Sequence, residues 1–424
     1  MLIDFRVRNF RSFKEENVLS LVASNDKDLR DVNTIATQVP ALPNLVRAAG
    51  IYGANAGGKS NLVKALLLMR GVVTESATLI QPGQIFNVQP FRLGASSAKE
   101  PTMFEATVLI EGIRYQYGFE FTPERITAEW LLVYHRNKPQ TWFERKFVGG
   151  EDKIDPGTYL TGTKRVWQDA TRPNALFLST AVQLNSTKLQ PLFAWFAESL
   201  NVFLDGGLLP FDYSVTCLQE PLRKSAITSF LQSADIGISN VSAEKKKGFA
   251  QTFQLDLATG TSNVHRAEQD ILIPQFTHQG EISAIFDFFR DESQGTQKLF
   301  SLAGPLLDII EEGRVLVIDE LDRSLHPLLV RQIVKTFQDP ELNQRGAQLV
   351  FTTHDTSLLE GRLLRRDQIW LTEKLKDQSS QLVPLTEFSP RKGEALERGY
   401  LSGRYGGVPI LRDRLISRRK SAAR

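Results

Sequence analysis

The sequence predicts an α/β fold built on a parallel sheet, and three observations predict it. Gly53-Ala54-Asn55-Ala56-Gly57-Gly58-Lys59-Ser60 spells the phosphate-loop pattern G-x-x-x-x-G-K-[ST]. The apolar run Arg314-Val315-Leu316-Val317-Ile318 ends in two carboxylates, Asp319 and Glu320. A second apolar run, Gln348 to Thr353, delivers His354. Short continuous apolar runs suit strands buried on both faces of a parallel sheet, with the chemistry at their carboxyl ends.

Taken in order, Ala48 to Tyr52 reads as a strand entering the phosphate loop. Leu62, Ala65, Leu66 and Met69 then recur at i, i+3, i+4, i+7, as in a helix packed on a sheet. Strand, loop and helix are the context the pattern needs. Backbone N–H groups along Gly53, Asn55, Ala56, Gly57, Gly58 and Asn61 can turn around the phosphates while Lys59 reaches the β and γ oxygens and the Ser60 hydroxyl ligates Mg²⁺. The helix N-terminus adds partial positive charge.

Phe104 to Phe121 alternates with a turn at Glu111-Gly112, a β-hairpin, and Trp130 to Phe147 supplies a further pair. From about residue 171 to 239 the apolar spacing is helical, as in Leu192, Trp195, Phe196 and Leu200, and predicts a short helical arm or lid. Glu244-Lys245-Lys246-Lys247 reads as a solvated face. Ser293-Gln294-Gly295 opens a helix carrying Leu299, Leu302, Leu306, Leu307 and Ile310, and a Ser and a Gly at a helix start make an anion-binding N-terminus. The strand ending in Asp319 is a Walker B strand. Asp319 would hold the Mg²⁺ shell opposite Ser60, and Glu320, one residue on and directed elsewhere by the pleat, would orient the attacking water. Pro327 starts the next helix, and His354 can hydrogen-bond a γ-phosphate, although a histidine at a strand end more often serves structure.

Bulk properties are those of an ordinary soluble globular chain. Its 424 residues exceed one hydrophobic core, so two domains or one with a large insertion are expected. The single cysteine, Cys217, excludes an internal disulfide framework and a cysteine-based zinc site, which fits a cytoplasmic setting. The first residues carry charges and no apolar h-region, and no apolar stretch is long enough for a bilayer, so no membrane association is expected. A net charge of +3 does not announce nucleic acid. From Tyr400 onward seven basic residues (Arg404, Arg412, Arg414, Arg418, Arg419, Lys420, Arg424) face one acid, Asp413. Such an end can touch phosphate backbones or an acidic partner, but more often is a solvated tail.

The order phosphate loop, long gap, Ser-x-Gly helix start, Walker B strand and histidine resembles that of ABC-type ATPases. The gap of more than 230 residues between Ser60 and Ser293 is similar to the RecF/OLD-like branch, as is the opening Phe5-Arg6-Val7-Arg8-Asn9-Phe10-Arg11-Ser12-Phe13. Closer still, Glu292-Ser293-Gln294-Gly295-Thr296, Asp319 to Pro327, Phe351 to Asp355 and Gly403-Arg404-Tyr405-Gly406-Gly407-Val408-Pro409 look like a stand-alone bacterial ATPase family. Its members occur in abortive-infection and phage-defence operons, often beside RloB-type proteins. The likeness covers about residues 1–135 and 270–424 and thins between them. It implies ATP and Mg²⁺ as ligands, and an ATPase head in two halves, 1–150 with an antiparallel β subdomain and 271–424, around a mostly helical insertion, 151–270. It also implies a head-to-tail homodimer in which Ser293 and Gly295 cap the partner's γ-phosphate, Arg11 near the nucleotide, and Gln89 as the Q-loop glutamine. Gly57 stands where that family often has Ser.

The first functional expectation is therefore an ATPase, with Lys59, Glu320 and His354 at the chemistry, that regulates a protein effector encoded nearby, an RloB-like protein, nuclease or toxin. A second reading, a RecF-like ATPase that clamps DNA, uses the same site. A nuclease of OLD type does not fit, because only 70 residues follow His354 and they hold no Asp-x-Asp pair.

Overall fold

In the computed structural model, residues 1–40, 42–135, 138–204, 211–234, 237–256, 261–360, 363–390 and 393–409 are described, with side chains outside 248–269. The basic residues from Arg412 onward lie outside them. Two large sheets dominate. One is antiparallel, with strands in the order 151–156, 140–148, 126–134, 113–121, 102–110, 2–8 and 17–20. The other runs 200–203, 315–318, 348–352, 48–53, 369–374 and 380–384, parallel except at its last strand.

The parallel sheet explains the apolar runs. Successive side chains on a strand point to opposite faces, and both faces are buried. Val315, Val317, Ala49, Ile51 and Val350 enter one core, shared with the phosphate-loop helix Lys59–Glu75 and the antiparallel sheet. Leu316, Ile318, Ala48, Tyr52, Leu349 and Phe351 enter a second core on the other face, under the helices Gln294–Glu312 and Pro327–Gln338. The fully buried Gln348 staples the sheets together: its Oε1 accepts from Leu2 N at 2.6 Å and its Nε2 donates to Leu2 O at 3.0 Å.

The 151–270 segment contains the helices Lys164–Ala170, Phe177–Gln183, Gln190–Ala194, Asp212–Cys217 and Pro221–Gln232. These do not form an arm or lid. Trp167, Phe177, Leu178, Leu192, Trp195 and Phe196 are buried in the first core, and Val215, Ile227 and Leu231 in the second. The helical spacing also breaks at Leu200: after a π-turn at Trp195–Ser199 the chain becomes the strand Leu200–Phe203, which lies parallel to the Walker B strand. Burial next to Val315 outweighs the continuation of the helix. From Ile238 the chain forms an antiparallel hairpin, Ile238–Asp256 with Thr261–Gln279, flanked by Ser283–Asp287.

A buried ion pair joins the antiparallel sheet to the helix Phe177–Gln183. Glu129 accepts from Phe177 N (2.7 Å), Leu178 N (3.0 Å) and the Tyr117 hydroxyl (3.0 Å), with Arg145 Nη1 3.9 Å away. Arg145 also donates to Ala175 O at 2.6 Å. Burial pushes the Glu129 carboxyl upward, and Arg145 opposes it. Arg145→Met strands a buried carboxylate and is expected to cost about 3–5 kcal/mol, read as a fall in the thermal unfolding midpoint.

Candidate functional site

Because the phosphate-loop, Walker B and 348–352 strands run parallel and side by side, their carboxyl ends open on one edge, where α/β sheets bind ligands. The phosphate loop holds its shape with two unusual residues, Ala56 at φ 61° and Gly58 at φ 116°. A side chain at Gly58 would lie 2.6 Å from Ser380 Oγ and 3.1 Å from Ser12 Oγ, so only glycine fits. The loop therefore sits hard against the chain's first turn and its late strand.

Lys59 is buried, and its Nζ donates to the loop carbonyls of Gly53 (2.8 Å) and Ala54 (3.4 Å). Burial lowers its pKa, while Asp319, Glu320 and Asp322 pull the other way. The ammonium thus lies in the field of the acids it is expected to work beside. Asp319, 4 % exposed, accepts at Oδ1 from the Ser60 hydroxyl (3.1 Å) and from the Thr352 hydroxyl (2.7 Å). Thr352 Oγ1 in turn accepts the backbone amide of Glu320 at 2.7 Å. Ser60 and Asp319 form a hard oxygen pair suited to Mg²⁺, which takes one or two protein oxygens and keeps its waters.

Glu320 has φ 49°, a left-handed backbone that a non-glycine residue adopts at a cost of about 1–3 kcal/mol. The turn is fastened on both sides, by Thr352 at the Glu320 amide and by Lys298 Nζ at the Glu320 carbonyl (3.0 Å). Lys298 also reaches Arg323 O at 2.9 Å, tying the Ser293 helix to the Walker B loop. Ser293 is the N-cap of that helix, its hydroxyl accepting from Thr296 N at 3.2 Å. A Cβ on Gly295 would stand 2.6 Å from Ser324 O. His278 Nε2 lies 2.6 Å from Glu292 Oε1, joining the hairpin base to the residue before Ser293.

His354 follows the neighbouring strand, its backbone amide donating to Asp322 Oδ2 at 3.2 Å. Arg11 and Gln89 are brought together: Arg11 N donates to Gln89 O at 2.7 Å. With Ser12, Asn61, Arg92 and Lys374 they border an open recess of about 260 Å³ beside the first turn of the phosphate-loop helix. Asn61 Nδ2 donates to Ser12 Oγ there at 2.8 Å. Sequence reasoning passed over Thr352, Asp322, Lys298 and Ser12. Thr352 and Ser12 lie inside quoted motifs, but their roles need the strand order, which periodicity does not give.

A family model described as "AAA domain, putative AbiEii toxin, Type IV TA system" matches residues 48–360. No curated protein matches in sequence. Among solved structures, the SMC head domain from Thermotoga maritima is similar at 15% identity and TM-score 0.41, covering 90% of this chain and 98% of that one. An SmcHead bound to the C-winged helix domain of ScpA gives 13%, 0.44, 91% and 99%. The Smc head with an extended coiled coil bound to the C-terminal domain of ScpA, from Pyrococcus furiosus, gives 11%, 0.42, 91% and 97%.

Desolvation first and the Lys59 charge second hold the His354 imidazole below its ordinary 6.5, against Asp322 and Asp319. A depressed folded value means that the neutral ring dominates at pH 7 and that its contribution to stability, present in full above about 6.5, is lost as pH falls from there through the lowered value. NMR titration of His354 should give a midpoint below 6.5, and Lys59→Ala should raise it.

Proposed function

Since the chain belongs to this family of AAA domains, a P-loop nucleotide-binding group, we propose that it binds ATP with Mg²⁺ and hydrolyses it to regulate a protein effector. The observation that carries the reading is the single carboxylate oxygen of Asp319 shared by Ser60 and Thr352, which ties the phosphate loop, the Walker B strand and the histidine strand at one point. Lys59 and the loop amides would hold the β and γ phosphates. Ser60 and Asp319 would hold Mg²⁺, whose chemistry is to neutralise charge on the phosphates when bound. Glu320 would take a proton from the water aimed at the γ-phosphorus, its backbone held by a turn bonded at both its amide and its carbonyl. His354 would donate to the γ-phosphate from its neutral form. Gln89 and Arg11 line the recess beside Asn61, which would receive the nucleoside side.

The proposed assembly is a head-to-tail homodimer in which Ser293 and Gly295 of one copy meet the γ-phosphate of the other. A serine N-cap with free helical amides behind it suits an anion. The family description names a putative AbiEii toxin of a type IV toxin–antitoxin system, and this supports a setting in such a module; control of a separate effector is our proposal. The hairpin Ile238–Asp256 with Thr261–Gln279 is the proposed docking element, because Ile238, Val241 and Phe276 root its base in the second core and His278 at that base bonds to Glu292 beside Ser293. The DNA-clamp reading gains no specific observation.

Glu320→Gln should slow ATP hydrolysis by about 10²–10³-fold while retaining ATP, and should shift size-exclusion elution toward the dimer. Hydrolysis at the wild-type rate would remove Glu320 from the chemistry, and stimulation of the wild type by duplex DNA would favour the clamp. Replacing residues 248–269 with Asn-Gly closes the hairpin at the Lys247–Asp270 pair and keeps Ile238, Val241 and Phe276, the core residues at its base. Co-purification of the neighbouring gene product should be lost while ATP binding persists; its retention would place docking elsewhere.

A further inference from the structure

The last described element is the short helix Leu396–Leu401 followed by the turn Gly403-Arg404-Tyr405-Gly406-Gly407-Val408-Pro409, beyond the family match at 360. The unit is knit to itself. The Tyr405 hydroxyl donates to Glu394 Oε1 at 2.6 Å, and its ring packs on Phe388 with centroids 5.8 Å apart. Arg404 forms an ion pair with the same Glu394.

Contacts from this unit reach two parts of the nucleotide site. Tyr400 is 8% exposed and meets Tyr52 edge-on, ring centroids 5.9 Å apart. Its hydroxyl donates to Gly407 O at 3.2 Å, and Gly407 is the residue that lies against Gly53. Gly53 is the first residue of the phosphate loop, and its carbonyl is the acceptor for Lys59 Nζ at 2.8 Å. Gly407, at φ 69°, lies flat against the same spot: a Cβ there would come 3.7 Å from Gly53 Cα and 3.5 Å from Thr372 O. At the other end of the helix, Glu397 Oε1 accepts from the Thr356 hydroxyl at 2.6 Å, in the turn Thr356–Leu359 just past His354.

We propose that residues 396–409 brace the phosphate loop against the turn that follows His354, and that Tyr400 is a positioning residue that sets Gly53 and, through its carbonyl, Lys59. The proposal rests on the nucleotide-binding reading of the site. The hydroxyl satisfies the buried Gly407 carbonyl. Without it that carbonyl loses a partner, and the turn lying on Gly53 relaxes at the residue whose carbonyl holds the lysine. The Tyr400 ring, which fills the core against Tyr52, is a separate contribution that phenylalanine preserves.

The test is Tyr400→Phe beside wild type and Lys59→Ala, read by binding of a fluorescent ATP analogue, steady-state ATP hydrolysis and thermal unfolding. Tyr400→Phe is expected to raise Kd and KM together by about three- to tenfold, with kcat within about twofold and only a small fall in the unfolding midpoint. Unchanged Kd and KM, in a wild type that binds the analogue and a Lys59→Ala that does not, overturn the brace alone. Weakened binding with an equal drop in the unfolding midpoint reduces Tyr400 to a packing residue and overturns it as well. A wild type that binds no analogue overturns both the brace and the nucleotide reading beneath it.

Discussion

The structure depends on one buried carboxylate. Asp319 sits at the end of an apolar strand, almost out of water, and a charge in that position is tolerated only if it is hydrogen-bonded. Its partners are two hydroxyls from two other strand ends, Ser60 beyond the phosphate-loop strand and Thr352 on the histidine strand. Satisfying Asp319 therefore requires that the three strands be in register. The ladder delivers that register, with Ile318 opposite Phe351 and Thr352 opposite Ile51. Thr352 then uses the same oxygen to accept the Glu320 amide, so the charge that organises the site also sets the turn carrying its second acid.

Much of this was legible in the sequence, and what was not has a physical reason. Apolar runs between glycines and carboxylates identify doubly buried strands, and the phosphate-loop strand, the Walker B strand and the histidine strand are where the runs place them. The hairpins of the antiparallel sheet show in their alternation. Leu200–Phe203 was hidden, because four residues of strand next to Trp195 and Phe196 carry the same apolar signal as one more helical turn. The hairpin from Ile238 was hidden because Glu244 to Lys247 in its first strand are polar and exposed, while the buried Ile238 and Val241 lie three residues apart, a spacing that a helix shows equally. The pairing of Arg11 with Gln89 rests on a backbone bond, to which side-chain pattern is blind.

The two cores divide the work. The first clamps the phosphate-loop helix between the sheets, so the loop's lysine and serine ride on an element buried on both sides. The second packs the Ser293 helix, the helix after Pro327 and the terminal tyrosines on the opposite face. Lys298, reaching from the Ser293 helix to two carbonyls of the Walker B loop, ties the two elements, so that in the proposed dimer a change at Glu320 would reach Ser293. Coupling of this kind needs no long pathway, only one side chain whose two acceptors move with the loop.

The strand order has a consequence for how the protein comes into being. The phosphate-loop strand, residues 48–53, is flanked by 348–352 on one side and 369–372 on the other, and both partners are parallel. A chain emerging from the ribosome carries the complete glycine-rich loop after residue 60, yet has no neighbour to lay it against for some three hundred residues. Long-range parallel pairing is slow to form, because the loop entropy is spent before the ladder returns it. Synthesis thus acts as a timer: the nascent chain lacks the strands that flank its phosphate loop until residues 348–372 have been made.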